Sequence, residues 1–141
     1  MNELLKNVIE TVTPEVKKQF SLLVKKIGER LVDLFKNTNW KEIIFGDPDF
    51  PNDINIIPIE KEFLTNESLL EIAKQYIVPN SNEVLAMLGK NSQKYYYVYL
   101  AYSKDKEMIP RNENNFVIIK TEGLSKEVLS LFNQHELIIL K

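Results

Sequence analysis

Apolar residues recur at helical spacing through the first quarter of the chain and alternate at strand spacing through the last third. Leu4, Leu5, Val8, Ile9 and Val12 form one stripe and predict a helix over about 2–12. Thr13-Pro14-Glu15 then reads as a helix start: a hydroxyl cap, a proline at the first helical position and an acid at the positive end. A long helix to about Lys36 follows, its stripe made by Val16, Phe20, Leu23, Val24, Ile27, Leu31, Leu34 and Phe35. Lys17, Lys18, Lys25, Lys26 and Arg30 fall on its other faces.

The period changes after Asn39. Trp40–Phe45 reads as a short strand, and Ile54–Ile59 as a second one, confined to an edge by Pro58. Thr65 or Asn66 caps a helix over about 67–78, which Pro79 ends. From Ser81, SNEVLAML predicts a short helix closed by Gly89. Lys94–Tyr102 and Asn115–Lys120 read as strands, with a polar connection between them. Ser125 caps a helix through Phe132, and a strand in HELIILK closes the chain. That last strand-helix-strand unit is long enough to make its two strands parallel. The expectation is a single α+β domain over 1–141: an N-terminal helical pair packed on a mixed sheet of about four to five strands, with a C-terminal strand-helix-strand unit.

Composition adds limits. The 141 residues include no cysteine, which excludes disulfides, thiolate metal sites and a cysteine nucleophile. No apolar run approaches the ~20 residues of a membrane helix, and the N-terminus lacks a secretory pattern, so a cytoplasmic protein without membrane contact is expected. Net charge is −2 but unevenly spread: residues 37–92 carry nine acidic and four basic side chains. An acidic chain of this kind does not suit nucleic acid, whose phosphates need a basic surface.

The acidic middle holds FGDPDFPND, with Asp47, Asp49 and Asp53 around Phe50. Counted from Asp47 as a calcium loop, position 5 is Pro51, position 6 is Asn52 and position 12 is Pro58, so the EF-hand pattern fails. A restriction-type nuclease needs an acid and a lysine two apart on one strand face, whereas Glu60 and Lys61 are adjacent and alternate. No phosphate-binding loop and no nucleophile elbow occur, and no cofactor is implied. His135, the only histidine, reads as an ordinary turn residue.

From Glu42 to Glu71 eight carboxylates face one lysine, Lys61, and two prolines stiffen the loop. Either this is a solvated acidic turn or it is a docking surface for a basic protein. Alternation in the tyrosine strand puts Tyr95, Tyr97 and Tyr99 on one face. They pack under a helix or form a partly exposed interface ladder. The functional expectation is a protein-binding inhibitor, of the toxin-immunity or phage counter-defence kind. It would dock a basic partner through Asp47, Asp49, Phe50, Asp53, Glu60 and Glu62, with Tyr95, Tyr97 and Tyr99 as candidate anchors. A metal-dependent hydrolase using the Asp47–Glu62 carboxylates is the alternative, and a homodimer through the N-terminal helices is the third reading.

Overall fold

The computed structural model describes residues 13–36, 53–89, 94–132 and 137–140. The expected helix over 2–12, the Trp40–Phe45 strand and His135 lie outside them.

The Thr13 hydroxyl accepts the Val16 backbone N–H at 3.4 Å and opens α1, Pro14–Gly28. The expected long helix is broken: α2 runs Leu31–Lys36, after a turn in which the Arg30 N–H donates to the Ile27 carbonyl. Gly28 is the poorest helix former of that stretch, and the break falls there. The apolar stripe survives it, with Val16, Phe20, Leu23, Ile27, Leu31 and Leu34 all buried.

Next come β1, Asn55–Leu64, and α3, Asn66–Gln75, capped by the Thr65 hydroxyl. Then β2, Glu83–Gly89, stands where the sequence suggests a helix. Short apolar runs fit either element. Here β3, Tyr96–Lys104, and β6, Leu137–Leu140, flank β2, and ladders on both sides decide in favour of strand. The polar connection after β3 contains a hairpin with β4, Glu107–Met108, closed by Asp105 and Lys106 at φ 51° and 68°. Positive φ at both turn positions is the geometry of tight hairpins. β5, Asn115–Leu124, and the six-residue α4, Lys126–Leu131, precede β6.

The sheet order is β1-β5-β3-β2-β6, with β4 attached to β3. β1 and β5 are parallel, and the other pairs are antiparallel. The α+β class with a mixed sheet is therefore found. The expected parallel pairing of the last two strands is not. β6 lies beside β2 and runs opposite to β5. A six-residue helix rises only about 9 Å, too little to return along a strand of about 33 Å, and both flanks of β5 are already taken.

Helices cover both faces. On one, α1 and α2 pack on Ile56, Phe116, Ile118, Tyr97, Tyr99, Leu85 and Ile139. The Phe20 and Phe116 ring centroids are 5.7 Å apart, and those of Tyr99 and Phe116 6.1 Å. On the other, α3 and α4 cover Val84, Ala86, Val98, Leu100, Val117 and Ile119. No helix among the described residues is long and apolar enough to cross a membrane.

Candidate functional site

The α1–α2 face of the β1–β5 pair changes character along its length. Reading up the parallel register, its rungs are Ile56–Phe116, Pro58–Ile118 and then Glu60–Lys120. Glu62 and Glu122 follow between the Lys61–Thr121 and Phe63–Gly123 pairs and are not themselves register partners. The apolar cover stops near Phe35, the last aromatic of α2, whose ring centroid is 6.1 Å from that of Tyr97. Beyond it the sheet face is polar and forms a cleft of about 270 Å³ lined by Glu60, Lys61, Glu62, Tyr95, Lys120 and Glu122.

Lys120 organises this cleft. Its ammonium is 3.7 Å from a Glu60 carboxylate oxygen, 4.2 Å from the Tyr95 ring centroid and 5.4 Å from that of Phe35. Its side chain is only 16% exposed, against 66% for Glu60. Lys94 stands over the same Tyr95 ring at 5.3 Å. A tyrosine face attracts cations through the ring quadrupole, and this ring already draws two of them. Glu62 and Glu122 are exposed and have no ion-pair or hydrogen-bond partner among the described residues. Burial, and then the charges of Tyr95 and Glu60, push the Tyr97 phenol above its ordinary value.

The residues singled out from sequence separate into groups. Glu60, Glu62 and Tyr95 meet at the cleft. Tyr97 is 7% exposed and Tyr99 fully buried, so both sit in the core under α1–α2 and not on a surface. Asp53 lies before the start of β1, seven residues and roughly 23 Å of strand from Glu60. It makes an ion pair with Arg111 at 3.2 Å, so part of its charge is answered within the chain. Asp47, Asp49 and Phe50 lie outside the described residues.

Sequence reasoning missed Lys120, Glu122 and Phe35. Alternation continued past Lys120 places it and Glu122 on one face, but pairing Lys120 with Glu60 needs the β1–β5 register. Among the described residues, no group of three or more His, Asp or Glu side chains is arranged to hold a metal ion. A second cleft, about 370 Å³ between α1 and the end of β2, offers only Lys25 and Glu29 as charged groups, both on the solvated side of α1.

Comparisons with known protein families, with curated proteins and with solved structures returned no match.

Proposed function

We propose that this protein works by binding another protein that presents a basic surface, in the manner of a toxin-immunity or phage counter-defence inhibitor. The docking surface is the acidic end of the β1–β5 pair. The observation that carries this reading is the placement of Glu62 and Glu122, exposed at one cleft and without an ion-pair partner among the described residues, beside the half-buried Tyr95. Complementary charge speeds encounter and sets specificity, while a tyrosine supplies contact area at low entropic cost. Further support comes from the acidic middle of the chain, which places eight carboxylates against Lys61 between Glu42 and Glu71.

The test is affinity capture from the source cells with the wild-type chain and with a Glu62→Lys, Glu122→Lys variant, followed by association kinetics of the captured protein. A basic partner whose association slows about tenfold or more in the variant, and slows in wild type as salt rises, supports the reading. Equal association of both chains overturns it.

A further inference from the structure

We draw no further inference here: the strongest candidate, the mostly apolar cleft of about 370 Å³ between the end of α1 and the end of β2, lined by Val24, Gly28, Gly89 and the buried Tyr99, carries nothing because nothing in the structure shows what covers it.

Discussion

The Tyr102 hydroxyl donates a hydrogen bond to the main-chain carbonyl of Ala73, tying the middle of the sheet to the end of α3. Ala73 lies in the last turn of α3, where carbonyls lack helical partners. The phenol, fully buried in β3, takes that place. Tyr102→Phe keeps the ring and leaves a buried carbonyl unpaired, so it is expected to cost about 1–3 kcal/mol in urea unfolding. Burial first, and Tyr76 second, raise this phenol well above its ordinary value. A raised value means that the unfolded chain gives up the proton near pH 10 while the folded chain keeps it. This contribution is whole below about pH 10 and is lost as the pH rises above it, by about 1.4 kcal/mol per pH unit for one proton. Unfolding free energy measured from pH 9 to 11 should fall less steeply in Tyr102→Phe than in wild type.

Asn114 holds the return from the β4 hairpin into β5. Its side-chain oxygen accepts from the backbone N–H groups of Tyr102 and Asn115, and its amide donates to the carbonyls of Tyr102 and Ile109. The residue is 3% exposed. Asn114→Ala leaves these groups without their partner and is expected to lose about 2–4 kcal/mol, read as a lower urea midpoint. Asn114→Asp should rescue little, because a carboxylate cannot donate to the two carbonyls.

Two glycines offer a contrast. A Cβ at Gly89 would lie 2.8 Å from Cε2 of Tyr99, a fully buried residue of the α1–α2 core. Gly89→Ala must move core, and a loss of about 1–3 kcal/mol is expected. At Gly123 the nearest atom would be Cδ1 of Phe63 at 3.0 Å, but Phe63 is 55% exposed and free to swing. Gly123→Ala should stay within about 0.5 kcal/mol of wild type. Equal losses in thermal melts would refute the contrast.

Relief of the like charge that Glu62 and Glu122 bring to one cleft should stabilise the folded chain. Glu122→Lys puts a positive charge in the cleft that Glu62 also lines, and a gain of about 0.2–1 kcal/mol is expected at low salt, shrinking as salt rises. The same variant should bind a basic partner more weakly. A variant that is less stable than wild type would show that the two carboxylates do not repel in solution.

Much of the fold is local and was legible along the chain. Thr13, Thr65 and Ser125 each cap the helix expected of them, because a cap depends on a hydroxyl and the N–H three residues on. The stripe from Val16 to Leu34 and the alternation from Tyr95 to Tyr102 depend only on helix and strand geometry, and that strand is buried on both faces from Tyr97 to Tyr102, with Tyr95 and Tyr96 partly exposed. Glu60, Glu62 and Tyr95 were picked out by charge and residue type, which are also properties of the chain itself.

What crosses from one segment to another was decided by tertiary structure. Glu83–Gly89 became a strand because β3 and β6 both offered it ladders, a choice that a seven-residue apolar run does not contain. β6 took the far edge because both flanks of β5 were occupied. Tyr99 left the set of surface candidates because α1 covers it, Lys120 entered because a parallel register sets it against Glu60, 60 residues earlier in the chain, and Glu122 because it lines the same cleft. The sequence by itself determined which residues alternate, cap and carry charge, since those depend on neighbours a few positions away. Which carboxylate meets a lysine was decided only when two distant strands locked into one register.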